Sequence, residues 1–464
     1  MSDLAAPRPS AGTRRERANS QEHGFLKLPA WLDGPLTSFH LVIGAGGLLL
    51  AIGLVMVFSA SSVSAALDHE PVWAPGVKQL LWASIGLAAM LAALRLRVGV
   101  LRRWVQVAMI IELGALLLVL VPGIGLQLNG AREWFNLGFA NLQPSEVGKL
   151  IFALWGAHVL ATRDRYLTTR HMLIPLLPMF GLICLLLLGE PDFGGVVSFG
   201  LVLIGLLWAA GLRFRYLGWG LLAGGGLAVL MVKLAPYRMA RWTSFLDPFA
   251  DPNGKGLQAI RGMYALATGG FWGVGLGNSR MKWDLLPHAE SDYIFAIIGE
   301  ELGFLGCLVV VVLYGVLAWA GFRIARRSAD RFVQLASVAI TVWLVGQAAM
   351  NMGYVVGILP VTGVTLPLIS AGGTSLVLTL FIVGLLARFA RAEPDAIEAL
   401  RNRHRSRLAR WLLPAPARAV DPVRPRSSRR RSGRDHRQMA VRHAGGRSRP
   451  PMVTAEKSRS RGAR

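Results

Sequence analysis

Long apolar runs separated by short polar segments make up most of the chain between residues 39 and 391. A helix that crosses a bilayer needs roughly 20 mostly apolar residues, whereas a membrane β-strand alternates apolar and polar positions. Because the runs here are continuous, we predict an all-α integral membrane protein, a bundle of about ten transmembrane helices with one long extracellular loop. The predicted spans are 39–60, 79–94, 104–122, 146–161, 172–188, 195–210, 217–235, 292–320, 332–354 and 373–391.

The basic residues between these runs predict the orientation of the chain. Short cytoplasmic loops of membrane proteins are enriched in Lys and Arg. With both termini in the cytoplasm, thirteen arginines lie in the short inside loops, while the short outside loops contain Lys78 and Arg132. We therefore expect a multi-pass protein of the plasma membrane with both termini cytoplasmic and the long loop, residues 236–291, outside the cell.

The composition excludes an ordinary soluble enzyme. Of the 464 residues, 53% are apolar and 16% are charged, whereas soluble domains carry about 25% charged residues. The net charge of +24 is concentrated in residues 401–464, which hold 20 Lys and Arg and 3 Asp and Glu. This asymmetry favours a membrane protein with a basic cytoplasmic tail over a nucleic-acid binder.

Three regions follow from these patterns. Residues 1–38 are predicted to be a disordered cytoplasmic extension, residues 39–391 the polytopic transmembrane domain, and residues 392–464 a basic disordered cytoplasmic tail. The tail is too polar to bury a core. Its arginines suit either anionic lipid or a cytoplasmic protein partner.

Carboxylates, amides, glycines and prolines collect on the predicted outer side, whereas the inner side carries mainly arginine. The outer segments are 129–134 with 143–146, 190–194, 236–291 and 359–373. Within the long loop, residues 257–268 are predicted to form a short helix that Gly269 and Gly270 end, and residues 273–277 a glycine-rich turn. A functional site, if present, should therefore face outward.

Asp292 stands where the long loop meets the eighth predicted span. It can be interpreted either as part of a helix N-cap or as an outward carboxylate in a site. His288, Glu290 and Asp292 alternate as metal ligands on a strand would, but Pro287 and the start of a helix argue against a metal site.

Among the ionisable residues inside predicted spans are Glu112, Lys149, Glu300 and Glu301. Charged groups at membrane depth are costly unless they face a protein interior or a wet cavity. A structural ion pair explains any one of them, but together they predict a polar interior that opens outward.

The outer segments, in this order over roughly residues 40–391, resemble the SEDS family (shape, elongation, division and sporulation), the FtsW/RodA peptidoglycan polymerases. The motifs that carry the resemblance are Gln-Pro-Ser-Glu-x-x-Lys at 143–149, Glu-Pro-Asp-Phe-Gly at 190–194, Ser-Phe-Leu-Asp-Pro at 244–248 with Asp-Pro at 251–252 and Gln258, Gly-x-Gly-Leu-Gly-x-Ser at 273–279, Leu-Pro-Val-Thr-Gly at 359–363 and Leu-Pro-x-Ile-Ser-x-Gly-Gly at 366–373.

Two segments depart from the family pattern. The usual Pro-Glu-Ala-His-Thr-Asp-Phe reads Pro-His-Ala-Glu-Ser-Asp-Tyr at 287–293, so Glu and His trade places while Asp292 keeps its register. The usual Gly-Ala-x-Arg-Trp reads Gly-Ala-Arg-Glu-Trp at 130–134, with Glu133 at the usual Arg position. A Tyr that is common in the family is replaced by Ala371.

The resemblance implies a peptidoglycan glycosyltransferase that polymerises lipid II into β-1,4 glycan strands at the outer membrane face. An α-linked donor that gives a β-linked product is inverted, which requires a base and no covalent intermediate. The resemblance makes Asp292 that catalytic base. Basic side chains or a divalent cation, Mg²⁺ or Mn²⁺, would neutralise the departing pyrophosphate. The residues expected to bind substrate are Arg132, Lys149, Glu190, Asp192, Arg238, Arg241, Gln258, Lys282, Glu290 and Ser370.

The resemblance also implies partners and leaves alternatives open. The expected partners are lipid II in the membrane, a class B penicillin-binding protein, which is an FtsI-like transpeptidase with a single span, and divisome proteins. The long cytoplasmic ends favour the division type of the family, at the septum, over the elongation type. A lipid II flippase would show paired inverted repeats with broken helices, of which the sequence shows no clear sign. A non-catalytic scaffold for a transpeptidase is the other alternative.

Overall fold

The computed structural model describes residues 34–402 except 68, 129–130, 139, 165–167, 235–238, 240–242, 253, 255, 284 and 288. The predicted extension up to residue 33 and the tail from residue 403 lie outside the described residues. The helices are α1 (Thr37–Leu67), α2 (Ala74–Arg95), α3 (Val98–Val119), α4 (Pro144–Thr162), α5 (Thr169–Gly189), α6 (Phe193–Ala209), α7 (Phe214–Leu234), α8 (Leu257–Gly269), α9 (Ile294–Arg327), α10 (Arg331–Val355), α11 (Gly373–Ala390) and α12 (Pro394–Asn402).

Each predicted span overlaps one of these helices, which confirms the all-α membrane class. Within the described residues, six helices are long and apolar enough to cross a membrane: α1, α2, α5, α9, α10 and α11. The apolar helix α6 is slightly shorter. Ten membrane crossings therefore stay a prediction.

The helix α10 lies at the centre of the bundle, where it packs against α4, α6 and α9. Its Phe332, Trp343 and Tyr354 are almost fully buried. The side chain of Asp330 caps its first turn by accepting a hydrogen bond from the Phe332 N–H at 2.9 Å. A central, enclosed helix can hold polar groups in fixed positions, and α10 does so at its outer end.

A small antiparallel sheet, which the sequence analysis did not predict, lies between α3 and α4. Its strands are β1 (Gly125–Leu128), β2 (Ala131–Asn136) and β3 (Asn141–Leu142), in the order β1-β2-β3. The short strands of this outer segment lack the alternating pattern that identifies a strand in sequence. The sheet carries the 130–134 motif next to the start of α4.

The helix α9 is not continuous, in contrast to the predicted span 292–320. Gly303 has φ 69° and ψ −165°, which breaks the helix near its outer end. There the Gly270–Gly275 turn packs on it: the Val274 N–H donates to the Glu300 carbonyl at 2.9 Å, and the Phe304 N–H to the Gly270 carbonyl at 2.9 Å. The backbone groups freed by the break are thus satisfied by the loop.

The predicted disordered tail, residues 392–464, begins with a helix instead, because Pro394–Asn402 form α12. Its Ala396 and Ile397 are buried, and Asp395 pairs with Arg327 of α9 at 3.2 Å. These apolar contacts extend the ordered fold to the end of the described residues.

Candidate functional site

Residues 290–292, which precede α9, lie against the segment between α10 and α11. The Ala371 N–H donates to the Glu290 carbonyl at 2.9 Å. The Ser370 hydroxyl donates to the Ser291 carbonyl at 2.6 Å and accepts from the Leu366 N–H at 2.8 Å. Ser370, predicted to bind substrate, is therefore buried and engaged with the backbone, while Glu290 is half-buried.

The carbonyl of Asp292 is held by two side chains of α10. Asn351 Nδ2 and the Tyr354 hydroxyl each lie 2.9 Å from it. The same two groups lie 2.8 and 2.9 Å from the Val364 carbonyl. Two chain segments 72 residues apart are therefore joined at Asp292.

The carboxyl group of Asp292 is half-buried at the outer end of α9. One of its oxygens lies 3.9 Å from where a Cβ of residue 363 would be, and Gly363 has φ 69°. Tyr293, not Ser291 or Asp292, occupies the N-cap position of α9. The arrangement therefore presents the Asp292 carboxyl beside the 359–363 motif.

Asp192 joins three of the predicted motifs. Its carboxylate caps α6 by accepting from the Gly195 N–H at 2.6 Å, and the Ser145 hydroxyl donates to it at 3.3 Å. A Cβ on Gly194 would lie 2.9 Å from the Thr362 carbonyl, so only glycine allows this close packing. The 190–194 motif therefore packs against both the 143–149 and 359–363 motifs.

Lys149 is buried in α4 with a carboxylate and an aromatic ring as neighbours. Its ammonium lies 2.6 Å from Glu146 Oε1 and 5.3 Å from the centre of the Trp343 ring. A side chain on Gly148 would collide with the carboxyl group of Glu112. The polar interior predicted from Glu112 and Lys149 is thus present at the outer end of the bundle.

Glu190 is fully buried, and neither of its carboxyl oxygens has a hydrogen-bond partner among the described residues. Burial, together with the nearby Asp192, Glu133 and Glu112 carboxyl groups, raises the pKa of Glu190 to about 9. Burial also raises the pKa of Asp192, against the opposing effects of the Gly195 N–H and Lys149. Glu190 is therefore a neutral acid at pH 7, and its side chain faces the protein interior.

Arg132 and Gln258 are both half-buried and come from separate outer elements. Arg132 lies on β2 and donates to the Leu120 carbonyl at 3.3 Å. Its neighbour Glu133 accepts from Gln143 Nε2 at 2.9 Å. Gln258 lies in the first turn of α8, the helix predicted within the long loop.

Lys282 points inward. Its ammonium lies 3.3 Å from Glu301 Oε1 and donates to the Gly277 carbonyl at 2.6 Å. The Ser59 hydroxyl of α1 donates to the two oxygens of Glu301 at 2.7 and 2.8 Å. The charge of Lys282, predicted to meet substrate, is therefore balanced by a buried carboxylate that ties the loop to α1 and α9.

Arg238 and Arg241, predicted to bind substrate, and His288 lie outside the described residues. A small cleft, partly open to solvent, lies between α4, α10, α11 and residues 365–370. Glu146 and Ser370 both line it. The cleft therefore connects the Lys149 cluster with the segment that holds residues 290–292.

The sequence analysis missed Asn351 and Tyr354. An amide in an apolar span is costly unless it has a partner within the protein, and Asn351 lies in the ninth predicted span. That signal was present in the sequence. The identity of its partners was not, because they lie 59 and 13 residues away along the chain.

Comparison with known proteins gives a consistent result. The family model described as "Cell cycle protein", for FtsW, RodA and SpoVE, matches residues 39–394. The "Probable peptidoglycan glycosyltransferase FtsW" of Mycobacterium tuberculosis is 46% identical over 395 residues, which cover 85% of this chain and 75% of that protein. The "Stage V sporulation protein E" of Bacillus subtilis is 39% identical over 347 residues, 74% of this chain and 94% of that protein.

Two solved structures are similar over most of the fold. One belongs to a study of "Structural coordination of polymerization and crosslinking by a peptidoglycan synthase complex", with a TM-score of 0.64, 29% identity and coverage of 76% of this chain and 97% of that chain. The other is the rod shape determining protein RodA of Thermus thermophilus, with a TM-score of 0.57, 26% identity and coverage of 76% and 96%.

Proposed function

Because this chain belongs to the FtsW/RodA/SpoVE family of cell cycle proteins, we propose that it is a peptidoglycan glycosyltransferase that polymerises lipid II. The products are β-1,4 glycan strands made at the outer face of the plasma membrane. The observation that carries this proposal is the half-buried Asp292 carboxyl group, held at the outer end of α9 by backbone contacts on each of residues 290–292.

Inversion at the anomeric carbon needs one base to take the proton of the attacking hydroxyl. Asp292 suits this role because its main chain is fixed while the residue is only partly buried. The bond from the acceptor oxygen to the anomeric carbon forms as the bond to the pyrophosphate oxygen breaks, and the proton passes to Asp292. A fixed base reduces the reorganisation needed to reach the transition state.

The leaving pyrophosphate needs positive charge. Lys149 and Lys282 are buried in ion pairs, so we assign this role to Arg132, which is half-buried, to Arg238 and Arg241, which lie outside the described residues, or to Mg²⁺ or Mn²⁺. Among the described residues, no three His, Cys, Asp or Glu side chains converge to hold a metal. A divalent cation would therefore take most of its ligands from the pyrophosphate oxygens and water.

The proposed partner is a class B penicillin-binding protein, and the proposed setting is septal synthesis with divisome proteins. Support comes from the similar chain in a peptidoglycan synthase complex and from the relatives named FtsW. In the 18-residue apolar stretch of α9 that could span a membrane, 22% of the stretch is buried within the protein, whereas 72% of the corresponding stretch of α10 is buried. A partner span that approaches the α9–α10 side would therefore contact mainly α9.

The flippase alternative gains one feature, the break in α9 at Gly303, since broken helices mark many transporters. The freed backbone groups of this break are satisfied by the 270–275 loop, so it stabilises the fold without an ion or substrate. A polymerase of the elongation type would catalyse the same reaction as a septal polymerase and would differ only in its protein partner and its location in the cell.

The test is polymerisation of purified lipid II by the full-length protein and its Asp292→Asn variant. The amide keeps the size of the side chain but accepts no proton, so the rate should fall 10²–10⁴-fold with unchanged membrane insertion. Glu290→Gln is the control, because Glu290 stands at the family's His position. A fully active Asp292→Asn variant with an inactive Glu290→Gln variant would move the base to Glu290. Full activity of both would place the base at another residue, whereas absence of polymerisation by the unmodified protein would favour the flippase or scaffold.

A further inference from the structure

Two side chains of α10 hold the main chain of the proposed base. Asn351 and Tyr354 are almost fully buried and stand three residues apart, so they share one face of the helix. Both lie within hydrogen-bond distance of the carbonyl of Asp292 and of that of Val364. Resting on the proposed function, we propose that Asn351 and Tyr354 are positioning residues for Asp292 in glycosyl transfer.

The donors and acceptors of the cluster leave little freedom for Asn351 and Tyr354 to rearrange their hydrogen bonds. The Asn351 amide has two protons and the Tyr354 hydroxyl has one, and they also lie 2.5 Å from each other. The two carbonyl oxygens can only accept, so the NH₂ side of Asn351 must face them. The three protons can serve the two carbonyl oxygens and the Tyr354 oxygen, whereas Asn351 Oδ1 has no hydrogen-bond partner among the described residues. The two chain segments cannot slide past each other without losing one of these hydrogen bonds.

This cluster sets the distance between the Asp292 carboxyl group and the 359–363 motif. Asp292 and Val364 are joined through their carbonyls, and Gly363, next to Val364, faces the Asp292 carboxyl. A general base must lie within hydrogen-bond reach of the hydroxyl that it deprotonates. A displacement of about 1 Å at a reacting centre can cost about 10²-fold in rate, so loosening this cluster should slow the chemical step.

A matched control exists on α9. The hydroxyl of Tyr314 donates to the carbonyl of Pro367, in the same segment, and its side chain is as buried as that of Tyr354. The hydrogen bond of Tyr314 is thus made to a carbonyl three residues after Val364, whereas Tyr354 lies 2.9 Å from the Asp292 carbonyl. Tyr354→Phe and Tyr314→Phe therefore remove the same atom from similar surroundings. Only Tyr354→Phe removes a hydroxyl that lies against the main-chain carbonyl of Asp292.

The experiment measures kcat and KM for lipid II polymerisation, and the thermal midpoint, for the full-length protein carrying Tyr354→Phe, Tyr314→Phe or Asn351→Leu. We expect kcat to fall about tenfold or more in Tyr354→Phe and Asn351→Leu with little change in KM. Tyr314→Phe should keep kcat within about twofold, while its thermal midpoint falls as much as that of Tyr354→Phe.

Four results would overturn the positioning role: equal loss of kcat in the two Tyr→Phe variants, no loss in either, a change confined to KM, or failure of Tyr354→Phe alone to accumulate in the membrane. Tyr354→Phe is conservative enough to be measured even where Asn351→Leu does not fold. The Asp292→Asn variant separates the two claims. Loss of activity there with a normal Tyr354→Phe rejects only the positioning role, whereas an active Asp292→Asn rejects the proposed base.

Discussion

The carboxyl group of Glu190 lies at the end of α5 with no surface exposed to solvent. Its surroundings hold three other carboxyl groups, and burial is the largest cause of its raised pKa. A neutral and fully buried Glu190 is poorly suited to attract a charged substrate. Lys149 and Lys282 are each paired with a buried or half-buried carboxylate, so their charges are balanced within the protein.

The raised pKa of Glu190 predicts a pH dependence of stability. Between pH 4.5 and about 9 the folded protein keeps the proton, while the unfolded chain releases it. Stability from this group is therefore complete at low pH and is lost as pH rises towards 9, by at most about 1.4 kcal/mol per pH unit.

Thermal unfolding of the full-length protein and Glu190→Gln from pH 5 to pH 9 measures this effect. The neutral amide cannot ionise, so the variant should lack the decline, and the difference between the two proteins should widen as pH rises. Parallel curves across the range would show that Glu190 is ionised in the folded state.

At the scale of elements, the outer end of α9 depends on glycines in two segments. The backbone of Gly273 meets that of Glu301 and Gly303 so closely that a Cβ on Gly273 or Gly303 would collide with it. The Glu300 carboxylate accepts from the Ser279 hydroxyl and, at 2.9 Å, from the Arg280 N–H. These contacts fix the first part of α9, which leads directly to Asp292.

Gly303→Ala should therefore destabilise the protein strongly. The backbone conformation of Gly303 is almost restricted to glycine, and a side chain there would strike the 270–275 turn. We expect a loss of about 3 kcal/mol, measured by thermal unfolding. Gly315→Ala is the control, because Gly315 lies in the same helix with open space where its Cβ would be. It should be neutral or slightly stabilising. Similar losses in both would argue against the glycine-dependent break.

At the scale of the whole molecule, the candidate site lies at one end of the bundle, where the α9, α10 and α11 segments meet. The opposite end carries the arginines that pair with Asp330, Asp164 and Asp395. Bundle ends of such different chemistry fit a protein with one catalytic face. The proposed orientation places that face outside the cell.

Cysteine labelling tests this orientation. Asp251 and Thr168 are exposed at opposite ends of the bundle, and the native Cys184 and Cys307 can be replaced first. A membrane-impermeant maleimide should label Asp251→Cys in intact cells, and Thr168→Cys only after lysis. The reverse result would place the site in the cytoplasm and reject synthesis at the outer face.

The sequence by itself determined the membrane class, the approximate helix bounds and α8, because long apolar runs and helix-ending glycines act over a few residues. It also predicted which segments would carry the site, through motifs such as 190–194 and 287–293. Only the tertiary structure decided what each charged side chain meets. Lys282 and Glu301 pair across a loop, Glu190 loses all contact with solvent, and the break at Gly303 exists because a distant turn satisfies its backbone. Asn351 and Tyr354 join α10 to the segments that contain Asp292 and Val364. Such contacts depend on packing between segments far apart in the chain, which no local pattern encodes.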